Sequence, residues 1–228
     1  MVYSFLMFIL VRNAVQYALL ALLYQLAQSG ASGGLVDLLI LRDETGAYNG
    51  YSGDVSSIIA ALGFIGGALA VWSTAKLLIT KNKEDMHLSH LKKEGKAKYA
   101  LLVATTIGAV IGFNLLFELL GVTNKSEAYT EVAAQQYSAH FIVGILVFGF
   151  ISPIAEELLF RGVIYGYLRR FMDIKLAIAL SALIFGVYHM NYVQGIYGFL
   201  IGCLMAYAYE YFGEFKMAVF VHVASNVL

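Results

Sequence analysis

Residues 138–171 read SAHFIVGILVFGFISPIAEELLFRGVIYGYLRRF. A hydrocarbon core about 30 Å thick needs about 20 apolar residues in a helix. This run is longer than that. It contains the chain's single proline, Pro153, and just beyond it the charged residues Glu156, Glu157 and Arg161. Pro153 divides the run into a very apolar half, His140 to Ser152, and an amphipathic half, Ile154 to Phe171. Proline lacks the N–H of a helical hydrogen bond, so a kink is expected there. One bent span, or a span followed by a dipping segment, both fit the pattern.

Outward from this run, apolar segments recur at 3–29, 55–79 and 99–121 before it, and at 174–190, 192–212 and 214–228 after it. The last is short for a span. Of the 228 residues 60% are hydrophobic and 13% charged, and mean hydropathy is +0.74. Soluble domains run at roughly 45–50% and about 25%. That excludes an ordinary cytosolic enzyme and a disordered chain. Lys+Arg 15 balances Asp+Glu 15, which leaves no basic excess for a nucleic-acid partner. The expected fold is all-α, a polytopic transmembrane helix bundle of about seven spans, or eight, kinked at Pro153.

The first segment lacks a basic stretch before its apolar run, which is also long for a signal peptide, so a retained helix is expected. Arg12 within it snorkels or faces the bundle. Cys203 has no partner for an intrachain disulfide and reads as a small helix residue. Loop 30–54 carries Asp37, Asp43, Glu44 and Asp54 against Arg42. Loop 80–98 carries Lys81, Lys83, Lys92, Lys93, Lys96 and Lys98, and the junction 169–175 carries Arg169, Arg170 and Lys175. By the positive-inside rule the two basic loops are cytoplasmic, 30–54 is outside and the amino terminus is inside. Residues 1–137 then form amino-terminal transmembrane helices and 138–228 a core, in one integrated membrane domain. Gly63 with Gly67, Gly108 with Gly112 and Gly198 with Gly202 are small residues four apart, expected as helix-packing faces. No internal repeat supports an inverted-repeat transporter.

Ionisable groups inside lipid are costly, so each is a candidate for function. Glu157 and Arg161 share a helix face and are expected to pair in a structural role. Glu156 is turned about 100° from Glu157, so the two carboxylates are not expected to share a partner. Phe185 with His189, and His222 with Asn226, repeat the one-turn spacing on later segments. Convergence of Glu156, His189, His222 and Asn226 on one cavity would account for all four. Asn114 and Glu118, also one turn apart, read as a bond between helices, with lining of the cavity as the alternative. His87 and His90 read as parts of a solvated loop, and His140 as interfacial. A carboxylate with a histidine can take a proton from water, and a second histidine with an amide can hold an oxyanion. Two histidines and a carboxylate are equally an acceptable zinc set. On residue chemistry both stay open.

At these residues the chain resembles the CPBP family, the intramembrane proteases grouped with type II CAAX prenyl endopeptidases and bacteriocin-processing enzymes, also called Abi. Its EExxxR motif corresponds to Glu156-Glu157-Leu-Leu-Phe-Arg161, its FxxxH motif to Phe185-Gly-Val-Tyr-His189, and its HxxxN motif to His222-Val-Ala-Ser-Asn226. The three occur in order on separate apolar segments. Pro153, Gly162, Asn191, Gln194, Gly195 and Gly202 match the flanks. The resemblance covers residues 138–228. It implies a site below the membrane surface, where Glu156 activates water with help from His189. His222 and Asn226 form the oxyanion site, and Glu157, Arg161 and Phe185 support it. No metal is favoured; zinc, if held, would fall on Glu156, His189 and His222.

The expected activity is endopeptidase cleavage of a membrane-tethered or amphipathic peptide, such as a leader peptide, a pheromone precursor or a lipidated tail. The expected setting is the plasma membrane, with the lipid bilayer and the tethered peptide as partners and no nucleic acid. One rival is a non-catalytic immunity or scaffold protein that binds a membrane peptide in the same cavity. The other is a small proton-coupled transporter.

Overall fold

The computed structural model describes residues 1–85, 95–123 and 126–228. Among these, every apolar segment expected from the sequence is a helix. We label them α1 (Val2–Gln28), α2 (Leu35–Leu39), α3 (Gly53–Asp85), α4 (Ala97–Leu119), α5 (Glu127–Tyr137), α6 (Phe141–Leu168), α7 (Ile174–Tyr188), α8 (Tyr192–Phe212) and α9 (Phe215–Val227). Helices α1, α3, α4, α6 and α8 are long and apolar enough to cross a membrane; α7 and α9 are shorter apolar helices. Large side chains such as Leu10, Leu69 and Leu101 are exposed on the outside of the bundle, as lipid-facing residues must be. His87, His90, Lys92 and Lys93 lie outside the described residues. Lys81 and Lys83 extend the end of α3, and Lys98 opens α4.

Two stretches expected as loops carry structure. Between α2 and α3, β1 (Leu41–Arg42) and β2 (Tyr48–Gly50) form an antiparallel hairpin with Leu41 opposite Gly50. The Asp43 carboxylate closes its turn, accepting from Thr45 and from the Ala47 N–H. Those bonds, Thr45 first, hold the Asp43 carboxyl below the usual carboxylate range. Arg42 donates to the carbonyls of Ala27 and Ala31 and so ties the hairpin to the end of α1. The loop before α6 contains α5, capped by Ser126, whose hydroxyl accepts from the Tyr129 N–H at 3.2 Å.

Helix α3 is the spine. On one side α1 packs into its glycines: a Cβ at Gly63 would meet Gln16, and one at Gly67 would meet Phe8 at 3.0 Å. On the other side α3 runs alongside α6. At one end Asp54 accepts from the His140 N–H at 2.7 Å and contacts its ring at 2.6 Å. At the other end Asn82 donates to the Gly166 carbonyl at 2.9 Å. Gly198 and Gly202 are likewise packed, against α7 and Arg161. Gly108 and Gly112 correct the sequence reading: nothing lies within 4 Å of either Cβ position. The buried stripe of α4 is instead Leu102, Thr106, Val110 and Phe117. Asn114 and Glu118 are exposed and bond no other helix among the described residues.

The long segment is one continuous helix through Pro153. It widens on both sides of the proline, with π-helical turns at Ile145–Ile151 and Leu158–Tyr165 around a short α stretch, Ser152–Glu157. Such bulges absorb an interruption in the hydrogen-bond ladder. In the wide register the Ser152 N–H reaches back to Val147. The same five-residue step would take a residue-153 N–H to Phe148, and proline has none.

Candidate active site

Glu156, on α6, is 6% exposed. Its Oε1 accepts from the Ser152 hydroxyl one turn earlier, at 3.1 Å. Its Oε2 lies 3.7 Å from Nε2 of His222 on α9, a little beyond direct hydrogen-bond reach. Nδ1 of the same imidazole lies 2.9 Å from Oε1 of Glu157. Because a carboxylate only accepts, Nδ1 carries the hydrogen, and Nε2 donates only in the imidazolium form. One histidine therefore stands between both carboxylates, against the expectation that they share no partner. The turn of about 100° per residue holds, but an imidazole offers a nitrogen on each of two sides.

Glu157 and Arg161 are fully buried and pair at 2.6 Å, as their spacing predicts. The same carboxylate oxygen thus holds Arg161 Nη1 and His222 Nδ1. Arg161 also donates through Nη2 to the Gly202 carbonyl on α8, at 2.9 Å. Among the described residues Glu157 Oε2 and Arg161 Nε are buried without a hydrogen-bond partner. Taking two charges out of water is expensive, and the network recovers this only through its joint contacts.

Phe185 is the packing hub. It is 1% exposed. Its ring meets Phe160 at 4.9 Å, His189 at 4.8 Å and His222 at 5.3 Å, and the Arg161 guanidinium lies 4.8 Å from its centroid. This explains an aromatic at the first position of the FxxxH spacing.

His189 caps the end of α7, its Nδ1 donating to the Phe185 carbonyl at 2.9 Å, which leaves Nε2 as the free acceptor. The next residue, Met190, has φ 58, a strained value for a residue with a Cβ. Asn191 then caps α8, accepting from the Gln194 N–H at 2.9 Å and donating to Gln194 Oε1 at 2.6 Å. The tight turn brings α8 so close that a Cβ on Gly186 would lie 2.5 Å from the Gly195 carbonyl oxygen. Helix α7 has 15 residues, about 22 Å. His189 and Glu156 lie on consecutive helices, α7 and α6, joined by the junction 169–173.

Asn226 is exposed, and its side-chain amide donates to the Phe148 carbonyl at 2.9 Å. Pro153, having no N–H, cannot bond this carbonyl in the wide register of α6. The structure thus brings Glu156, Glu157, Arg161 and His222 into one contact chain. His189 joins it through the Phe185 ring, and Asn226 binds the same helix two turns before Glu156.

Among the described residues no group of three or more His, Cys, Asp or Glu side chains is arranged to hold a metal ion. His222 Nδ1 faces Glu157, and His189 Nδ1 faces a carbonyl. Glu156, His189 and His222 therefore do not form a zinc cage in this arrangement, and no step below runs through a metal.

Sequence reasoning missed Ser152, one helical turn before Glu156, and Tyr188, the neighbour of His189. It also missed a second buried cluster. Glu210 on α8 is fully buried, accepts from the Tyr165 hydroxyl at 2.6 Å, and pairs with Arg169 through two bonds of 3.1 Å. The bonds to Glu210 push the Arg169 guanidinium pKa up. Glu210 is an acid in an apolar segment, and that signal was available.

Residues 138–228 match the family described as type II CAAX prenyl endopeptidase, Rce1-like. The match covers less than half of the chain and the same residues as the three motifs, and it bears out the resemblance those motifs carry. No curated protein and no solved structure matches the chain. Its long apolar helices are those of an integral membrane protein, and residues 138–228 of it are similar to the type II CAAX prenyl endopeptidases.

Proposed function

Taking that family as premise, we propose that the chain hydrolyses a peptide bond of a membrane-tethered or amphipathic substrate, with 138–228 as the catalytic core. The observation that carries the reading is the buried chain Arg161–Glu157–His222–Glu156, which holds a carboxylate and an imidazole nitrogen 3.7 Å apart in a low-dielectric interior.

In this reading Glu156 takes a proton from the attacking water, with the free Nε2 of His189 as its assistant. Ser152 fixes which carboxylate oxygen faces the water. Glu157 orients His222 as a carboxylate orients the histidine of a hydrolytic triad. His222, as imidazolium, and the second amide hydrogen of Asn226 donate to the oxyanion of the tetrahedral intermediate. The proton held on Glu156 then passes to the leaving amine. No metal is required by these steps.

The test is a comparison of cellular peptide termini by mass spectrometry, in cells expressing wild type or Glu156→Gln at equal membrane levels. Termini that appear only with wild type establish proteolysis and define the substrate class. Identical termini in a host that contains the natural membrane peptides reject the reading and favour a binding protein.

A further inference from the structure

Helix α1 lies outside the matched residues, yet it places a charged side chain beside the candidate site. Arg12 lies near the middle of α1, and its Nη1 donates to the Tyr188 hydroxyl. The guanidinium carbon is 4.7 Å from the Phe64 ring centroid and 5.6 Å from that of Tyr188. Its Nε is buried without a hydrogen-bond partner among the described residues. No carboxylate lies within ion-pair reach of Arg12 among the described residues. Ring contacts and one hydroxyl recover only part of what a cation loses in lipid, so its place calls for a further reason.

Tyr188 supplies one. It is the last residue of α7, and its ring stands at 85° to that of His189, 5.7 Å away. The far side of the ring meets Phe160 at 5.2 Å. Beyond His189 comes the left-handed Met190 and the Asn191 cap.

We infer that Arg12 is a positioning residue of this site: by holding the Tyr188 hydroxyl it sets the end of α7 that presents His189. The kinetic consequence rests on the endopeptidase reading. The positioning itself does not.

The test uses the full chain with Arg12→Met, Arg12→Lys and Tyr188→Phe, and two readouts. The first is cleavage. Displacing a reacting group by about 1 Å costs roughly 100-fold, so Arg12→Met lowers kcat by about 10- to 100-fold with KM little changed. Arg12→Lys restores most of it, and Arg12→Met with Tyr188→Phe is no worse than either alone. The second readout is acylation of His189 by diethyl pyrocarbonate, read by peptide mass spectrometry. It rises severalfold in Arg12→Met while His222 is unchanged. Wild-type reactivity of His189 overturns the inference, as does an equal rise at His189 and His222, which marks general loosening. If wild type and Glu156→Gln are both inactive, the endopeptidase reading falls and the labelling alone decides the role of Arg12.

Discussion

His222 directs its Nδ1 to Glu157 at 2.9 Å, and so presents Nε2 to Glu156 at 3.7 Å. The contact couples two residues that spacing alone assigns to different tasks. Glu157 is at once the counter-charge of Arg161 and the orienting partner of the histidine. Glu157→Gln keeps an oxygen for Nδ1 but leaves Arg161 a buried, unbalanced cation. Breaking such a pair costs about 3–5 kcal/mol, so a large drop in thermal unfolding temperature in detergent is expected, with loss of cleavage. Adding Arg161→Gln should recover part of the stability and none of the activity. Full additivity of the two changes would contradict the shared network.

In the proposed mechanism Asn226 has two separable tasks. Removing its bond to the Phe148 carbonyl costs about 1 kcal/mol. Removing an oxyanion donor lowers kcat by about 100- to 1000-fold. Asn226→Ala should show both. A residue with an N–H at 153 can bond Phe148 itself, so in a Pro153→Ala background Asn226→Ala should lose its stability effect and keep its kinetic one. Unfolding curves and single-turnover rates on the four proteins of this cycle check it.

Glycine substitutions should divide by location. Gly186→Ala drives a methyl group against the Gly195 backbone oxygen, which cannot rotate away. Overpacking of this kind costs about 1–3 kcal/mol or more, and it separates α7 from α8 three residues before His189. Cleavage should be lost. Gly108→Ala meets nothing within 4 Å and should be neutral or stabilising by up to about 1 kcal/mol, the helix-propensity difference. Thermal unfolding and activity of both variants give the comparison.

The Glu210 cluster predicts stability without catalysis. Glu210→Ala removes the acceptor of Tyr165 and the partner of Arg169. Hydrogen bonds to charged groups contribute about 1.5–3 kcal/mol each, so a clear loss of thermal stability is expected. The kcat per folded molecule should stay at the wild-type value, since among the described residues no hydrogen bond or ion pair joins these three side chains to the Glu156–His222 chain.

The proposed mechanism predicts indifference to metal removal. Cleavage by the purified protein should survive prolonged treatment with a strong zinc chelator. Loss of activity that returned on adding zinc would move Glu156, His189 and His222 from proton chemistry to coordination, and would require the two histidines to leave their present partners.

The helices were legible because lipid demands long apolar stretches with internally bonded backbone, and this chain shows them between charged loops. The motifs were legible for a related reason: a polar residue in an apolar run stands out, and Glu157 with Arg161 needs only helical geometry to pair. Helix α5 was missed because its sequence, EAYTEVAAQQY, has no apolar stripe. The β1–β2 hairpin was missed because its strands are too short to show alternation. Gly108 and Gly112 were misjudged because a small-residue spacing says which face can pack closely, not which face has a neighbour.

By itself the sequence determined that the protein is a membrane-embedded helical bundle, and which residues are most of the costly polar exceptions within it, Glu210 being the one passed over. Both follow from local rules, helical periodicity and the cost of charge in lipid. Only the tertiary structure decided how the exceptions meet. The placement of His222 between two carboxylates, Phe185 among Arg161, His189 and His222, Asn226 on the Phe148 carbonyl, and Arg12 on Tyr188 each joins residues from different helices. Such contacts depend on helix rotation and depth. Those are set by the packing of glycines against their neighbours and by the widened turns of α6, which no single segment encodes.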